Sequence, residues 1–278
     1  MSAPREVPRP GRRRAKRSLS QNFLVDPNLQ RKIVDELGAG AGDTVLEIGP
    51  GHGELSDRLV GRVRRLILVE KDDDLARDLA DRLGGREDVA VVPADALRVD
   101  LGRIAGPGRP LRVLSNIPYA ITSPLLFRLL AIEPAADRIV VTVQREVARR
   151  IAAGPGSRAY GALSVGVQTR ARPRIAFPIG RHAFRPAPRV ESAAVVLEPL
   201  AAPVGGEDLE DLRRLTRIAF GQRRKQLGGI LRGAAEYGLS REGAERLLSH
   251  LGLRHDLRPE RLTPEDFVRL ARALRSLA

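Results

Sequence analysis

Cysteine is missing from all 278 residues. Its absence excludes disulfides, thiolate metal sites and cysteine nucleophiles. Long apolar runs are missing too: no stretch approaches the roughly 18 residues that a membrane span needs. Hydrophobic residues nevertheless make up 42% of the chain, enough to bury a core in water. The N-terminus is polar, basic and broken by prolines, without the apolar centre and small-residue cleavage site of a secretory signal. A cytoplasmic chain with no membrane association is therefore expected. Lysine is scarce, with Lys16, Lys32, Lys71 and Lys225 the only ones, so nearly all the positive charge is arginine. A GC-rich genome produces such a bias, but exchanging arginine for lysine leaves net charge unchanged. The imbalance itself, 48 basic against 34 acidic residues and a net charge of +14, points to a polyanionic partner, because displaced counterions favour binding to phosphates.

The length suits one large domain and one small one. Residues 1–17 read as a disordered basic tail: Arg5, Arg9, Arg12, Arg13, Arg14, Lys16 and Arg17 face the single acid Glu6, and like charges and prolines oppose folding. Such a tail is an arm for nucleic-acid phosphates or simply a solubilising segment. From Thr44 onward short apolar runs alternate with amphipathic stretches, the pattern of parallel strands covered by crossover helices. The runs are 44–48, 66–69, 89–92, 111–114 and 138–143, and the intervening helices are expected at 55–60, 74–83, 124–131 and 146–153. Two more extended runs, 174–179 and 193–197, flank a proline-rich loop and fit an antiparallel edge. After the Gly205-Gly206 linker the strand signals stop. Helices are expected at 208–220, 223–231, 241–251 and 264–277, the last announced by Thr263-Pro264-Glu265. The expected division is a catalytic domain over 18–203 and a helical domain over 204–278.

Chemistry concentrates where the strands end. Glu47-Ile48-Gly49-Pro50-Gly51-His52-Gly53-Glu54-Leu55 follows the first run, and glycines there allow a sharp turn and close approach to a ligand. A dinucleotide fingerprint would bring its third glycine three residues after the second; Gly53 arrives one residue early. Glu70 ends the next strand, where a carboxylate can accept from both hydroxyls of a ribose. Asp95 follows the third strand and can accept from the exocyclic amine of an adenine. Each acid alone could be a solvated residue or a helix cap. In this order they imply an adenosine-containing cofactor.

The fourth strand runs into Ser115-Asn116-Ile117-Pro118-Tyr119. Here the chain resembles the adenine-N6 methyltransferases, whose signature is Asn or Asp, a variable residue, Pro and an aromatic. An adenine amine is a poor nucleophile because its lone pair is delocalised into the ring. Acceptors such as the Asn116 side chain and the Ile117 carbonyl can hold its hydrogens, and Pro118 stiffens the turn that aims them. Tyr119 can stack on an extruded base and face a sulfonium cation. No enzyme nucleophile is needed, in keeping with the missing cysteine. The same segment also reads as a strand-ending turn with a helix cap.

Further motifs narrow the resemblance: 20–26 (Ser-Gln-Asn-Phe-Leu-Val-Asp), 159–165 (Ala-Tyr-Gly-Ala-Leu-Ser-Val), 184–193 (Phe-Arg-Pro-Ala-Pro-Arg-Val-Glu-Ser-Ala) and 220–227 (Phe-Gly-Gln-Arg-Arg-Lys-Gln-Leu). Together with the glycine turn and Asn116–Tyr119 they look like the small-subunit ribosomal RNA adenine dimethyltransferases, over nearly the whole chain after Arg17. Ser20, Ile117 and Glu191 stand where that family more often has glycine, leucine and aspartate. The resemblance implies a Rossmann-like class I methyltransferase sheet, mostly parallel with an antiparallel edge, and a small C-terminal helical domain. It implies S-adenosyl-L-methionine as cofactor, held by Asn22, Leu24, Gly49, Glu70, Asp95 and Asn116. Asn116, Tyr119 and Phe184 would act on the target base, with Phe184 stacking opposite Tyr119. The substrate would be two adjacent adenosines near the 3′ end of small-subunit RNA within an immature 30S particle, met by a monomer that needs no obligate protein partner. Arg223, Arg224 and Lys225 read as an RNA-binding run or as a solvated helix face. His52, His182, His250 and His255 lack metal-ligand spacing, and no metal is expected. A related group that methylates large-subunit RNA shares the fold, and a nicotinamide-dependent oxidoreductase or a non-enzymatic assembly factor could be built on a similar sheet.

Overall fold

The computed structural model describes residues 21–108 and 110–277. The basic segment 1–17 and Ser20 lie outside the described residues. The strands are β1 (Phe23–Leu24), β2 (Thr44–Ile48), β3 (Arg65–Glu70), β4 (Val89–Pro93), β5 (Leu111–Asn116), β6 (Arg138–Gln144), β7 (Ala171–Ile179), β8 (Phe184–Arg185) and β9 (Ser192–Pro199). Seven of them form one sheet in the order β4-β3-β2-β5-β6-β9-β7. From β4 to β6 every pairing is parallel, and β9 runs antiparallel to β6. This is the mostly parallel sheet with an antiparallel edge that the apolar runs imply. β2 is buried along its whole length, and Leu46, Leu66, Val113 and Leu114 are fully enclosed. Strands covered on both faces read as continuous apolar runs, and each such side chain contributes roughly 1.5 to 3 kcal/mol by leaving water.

The strand order makes a switch point. From β2 the chain moves outward through β3 and β4, then returns to pair β5 on the other side of β2. Crossovers therefore diverge beyond the carboxyl ends of β2 and β5, which is where sheets of this kind bind ligands. Between strands run α1 (Pro27–Leu37), α2 (Ser56–Leu59), α3 (Asp73–Leu83), α4 (Leu101–Ala105), α5 (Thr122–Leu129) and α6 (Arg145–Ala152). α1 and α4 are additions to the helices expected from periodicity. The signals for α1 are local: Asp26 accepts from the backbone N–H groups of Asn28 and Leu29, Pro27 opens the helix, and Gly38 closes it at φ 60°. α2 is shorter than expected, a single turn following the glycine-rich bend.

Two compact units emerge, one comprising residues up to 148 with 174–199 and the other comprising 149–173 with the chain from 200 onward. Chain order predicts a division at 203/204, with 149–173 in the first domain. The difference has a packing cause. In the second unit the Tyr160 hydroxyl donates to the Leu262 carbonyl at 2.9 Å, and Tyr160 and Val165 share a core with Leu215, Leu248 and Phe267. This unit contains α7 (Ala162–Gln168), α8 (Gly206–Gly221), α9 (Leu227–Gly233), α10 (Arg241–His250) and α11 (Pro264–Arg275). A reciprocal cap between Thr263 and Asp266 starts α11, the kind of start that contributes about 1 kcal/mol. α9 begins four positions later than the expected 223–231 helix. Residues 223–225 instead lie in a turn, closed by Lys225 N–H donating to the Gln222 carbonyl at 2.8 Å.

Candidate active site

A cleft opens at the carboxyl ends of the parallel strands, lined by residues from the segment before α1, from the turns after β2, β3, β4 and β5, and by Phe184. Its two sides are built differently. On one side the glycine turn leaves β2 with positive φ at Gly49 and Gly51, backbone that glycine adopts without steric cost. A Cβ at Gly51 would stand 2.9 Å from the Phe23 ring, whereas one at Gly49 would meet no atom within 4 Å. Phe23 thus presses on the turn at Gly51, and Gly49 leaves open the space into which a side chain would project.

Carboxylates frame this side. Glu70, buried at the end of β3, accepts from Gly51 N–H at 3.1 Å and from Asp72 N–H at 2.9 Å. Burial raises its pKa, and the backbone donors oppose that rise. Asp95 accepts from Leu97 N–H at 2.9 Å and pairs with Lys71 at 3.0 Å. The Leu97 N–H and the Lys71 ammonium together hold its pKa below the usual carboxylate range. Behind the turn Glu47, 2% exposed, accepts from the Ser56 hydroxyl at 2.7 Å. Desolvation pushes its pKa up to about 8, so it keeps its proton at neutral pH.

The other side is uncharged. The Ser115 hydroxyl donates to the Ile48 carbonyl at 2.9 Å, tying the ends of β5 and β2 together. The Asn116 amide nitrogen donates to the Asn22 carbonyl at 2.9 Å, which turns its Oδ1 into the group's remaining acceptor. After Pro118 the chain makes a single helical turn over Tyr119–Ile121, where the Thr122 hydroxyl donates to the Tyr119 carbonyl at 3.1 Å. The Tyr119 hydroxyl lies 2.6 Å from that of Ser192.

A strap from the N-terminal side crosses both. β1 pairs antiparallel with β8, Phe23 opposite Arg185 and Leu24 opposite Phe184. Phe23 also packs against His52 with ring centroids 4.4 Å apart. The cleft thus brings together Asn22, Gly49, Glu70, Asp95, Asn116, Tyr119 and Phe184. Leu24 is set apart: its side chain is in the core, and its carbonyl accepts from the Gln30 amide at 2.7 Å. Phe184, which reaches the cleft, is itself 1% exposed and packs in the same core. Phe23, Lys71 and Ser192 carry no role in the sequence analysis, and His52 appears there only as a histidine without metal-ligand spacing. The motif containing Phe23 was visible, but its contact with a glycine backbone was not.

In the helical unit, the Arg223 guanidinium donates to the carbonyls of Arg158 at 2.9 Å and Ser157 at 3.1 Å and stands 3.7 Å from Glu260. Arg224 and Lys225 are exposed, and the Lys225 ammonium donates to the Gln222 side chain at 2.9 Å.

The family model for ribosomal RNA adenine dimethylase matches residues 12–275. The chain belongs to this family. The dimethylases are methyltransferases that use S-adenosylmethionine, and the open space over Gly49, framed by Glu70 and Asp95, suits an adenosine-containing donor. Among its relatives, a ribosomal RNA small subunit methyltransferase A of Acidobacterium capsulatum is 43% identical, covering 93% of this chain and 91% of that one. One of Rubrobacter xylanophilus is 42% identical, covering 94% and 95%. A solved dimethyladenosine transferase from Plasmodium falciparum superimposes with a TM-score of 0.78 at 26% identity, covering 89% of this chain and 95% of that one. The 23S rRNA methyltransferase ErmE gives 0.68 at 27% identity, with 91% and 100% covered.

Proposed function

We propose that this dimethylase transfers methyl groups to the N6 amines of two adjacent adenosines near the 3′ end of small-subunit ribosomal RNA, giving N6,N6-dimethyladenosine during ribosome assembly. It would work in the cytoplasm as a monomer on an immature 30S particle. The reading is carried by one observation: the Asn116 amide nitrogen is bonded to the Asn22 carbonyl, which leaves its oxygen as the acceptor of a side chain that lines the same cleft as Tyr119. That oxygen and the Ile117 carbonyl would hold the amine hydrogens of a flipped adenine, aiming the nitrogen lone pair across the cleft. Tyr119 would stack on the base, a contact worth roughly 1 to 3 kcal/mol, and Phe184 would bound the same space from the strap side. On the opposite side Glu70 would take a ribose and Asp95 an adenine amine, while the backbone at Gly49 and Asn22 would enclose the donor and Leu24 would hold the strap in place. S-adenosylmethionine bound there supplies a methyl group already activated by a sulfonium centre. The two acceptors would draw the amine toward a pyramidal geometry in which its lone pair is less delocalised into the ring, and the surplus proton can pass to water.

For the RNA outside the cleft, Arg224 and Lys225 would contact phosphates, with Arg223 holding their turn through the carbonyls of Ser157 and Arg158. The test is mass spectrometry of ribosomal RNA from immature small subunits after incubation with the protein and methyl donor. Adjacent dimethyladenosines near the 3′ end are expected. Unmodified small-subunit RNA there, or methylation of large-subunit RNA alone when both RNAs are supplied, would remove the assignment.

A further inference from the structure

Tyr119 is held at both ends. Its carbonyl accepts from Thr122 Oγ1 at 3.1 Å, and its hydroxyl lies 2.6 Å from Ser192 Oγ. Ser192 opens β9 opposite Gln144 of β6, followed by the apolar, buried Ala193–Leu197. The serine is itself completely buried. A hydroxyl enclosed in such a strand is costly unless it finds a partner, and the partner here is the outer end of the ring that lines the cleft.

We propose that Ser192 is a positioning residue for methyl transfer: the antiparallel strand β9 reaches back through its first side chain to fix the plane of Tyr119, and thereby of the base stacked on it. The inference rests on the reading of Tyr119 as the stacking residue. Without the bond the ring is anchored only at its backbone and can turn about both side-chain torsions. A base lying on it then departs from the line between its amine and the donor methyl, an alignment to which transfer rates are sensitive. Ser192 touches neither base nor donor in this scheme. Its loss should therefore lower the rate at saturating RNA while leaving ground-state binding of RNA and donor in place.

The experiment compares wild type, Ser192→Ala, Tyr119→Phe and the double variant in single-turnover methylation of small-subunit RNA, alongside RNA KM, donor Kd and Tm. Tyr119→Phe keeps the ring and removes only its hydroxyl. Each single change should slow transfer by roughly fivefold to tenfold, the range expected for one hydrogen bond, with KM and Kd within twofold of wild type. The double variant should be no slower than either single. A merely structural serine would not produce that non-additivity. Transfer at the wild-type rate by Tyr119→Phe or by Ser192→Ala, or a double variant slowed by the product of the two, would overturn the inference. Wild-type transfer in the same assay keeps its failure separate from failure of the functional reading.

Discussion

The two sides of the cleft solve opposite electrostatic problems. The side after β2, β3 and β4 presents Glu70 and Asp95, satisfied by backbone N–H groups for Glu70 and by a backbone N–H with a lysine for Asp95, with the protonated Glu47 bonded to a serine hydroxyl behind them. The side after β5 is uncharged, with an amide, a phenol and a serine arranged by single hydrogen bonds. A ribose and a cationic donor favour acceptors and negative charge, whereas an adenine amine has its lone pair delocalised and must be held by its hydrogens. Under the proposed function, binding and reactivity would fall to separate strands that meet at one switch point.

That division is open to attack by substitution. The largest effect expected is from Asn116→Ala, which removes the acceptor on the neutral side; turnover should fall roughly 10³-fold, on the scale of losing a transition-state hydrogen-bond group, while RNA binding persists. Single-turnover rates beside RNA titrations check this, and near-normal turnover would dissolve the distinction between the sides. Next comes Glu70→Ala, which leaves the N–H groups of Gly51 and Asp72 without their carboxylate. Donor affinity should weaken about 10- to 100-fold with a much smaller change in the rate at saturating donor, as calorimetry and kinetics would record. An equal fall in both quantities would mean that the acidic side shares in the chemistry.

Smaller effects belong outside the cleft. Arg224→Ala should weaken RNA binding a few-fold and reduce its salt slope by about 1 without changing Tm. Arg223→Ala should do the reverse, lowering Tm because three carbonyl or carboxylate partners lose their cation. The subtlest test concerns Glu47. Its folded-state pKa of about 8 exceeds the ordinary 4.5, so the stability tied to its bound proton is complete below about 4.5 and is lost as pH rises through about 8. Glu47→Gln keeps an acceptor for Ser56 and carries no charge. The Tm difference, variant minus wild type, should therefore grow across that window and level off above it; a difference independent of pH would show Glu47 already ionised in the fold.

Much of this was written locally. The apolar runs placed β2 to β6 to within about two residues because strands covered on both faces read as near-continuous apolar runs, and Asn116–Tyr119 was legible as a chemical signature. The Tyr119–Ser192 bond was not, since 73 positions separate the partners and a hydroxyl has no periodicity. The partners of Arg223 were hidden for a related reason: a count of charges sees a cation, while its carbonyl partners lie 65 and 66 residues away. The assignment of 149–173 to the first domain followed chain order, but Tyr160 finds its acceptor at Leu262, 102 residues on.

The pairing of β1 with β8 has a consequence for turnover. Its ladder is two residues long, reinforced by Val25 N–H to the Ala183 carbonyl at 2.7 Å. Placing two methyl groups on one nitrogen consumes two donor molecules, so spent nucleoside must depart and fresh nucleoside arrive between rounds. The rungs are worth roughly 0.5 to 1.5 kcal/mol net each, but Leu24 and Phe184 are also buried in the core against the sheet, so releasing the latch would uncover two large apolar side chains as well. Under the proposed function, exchange of the spent nucleoside would then be tied to how firmly these two side chains seat the strap.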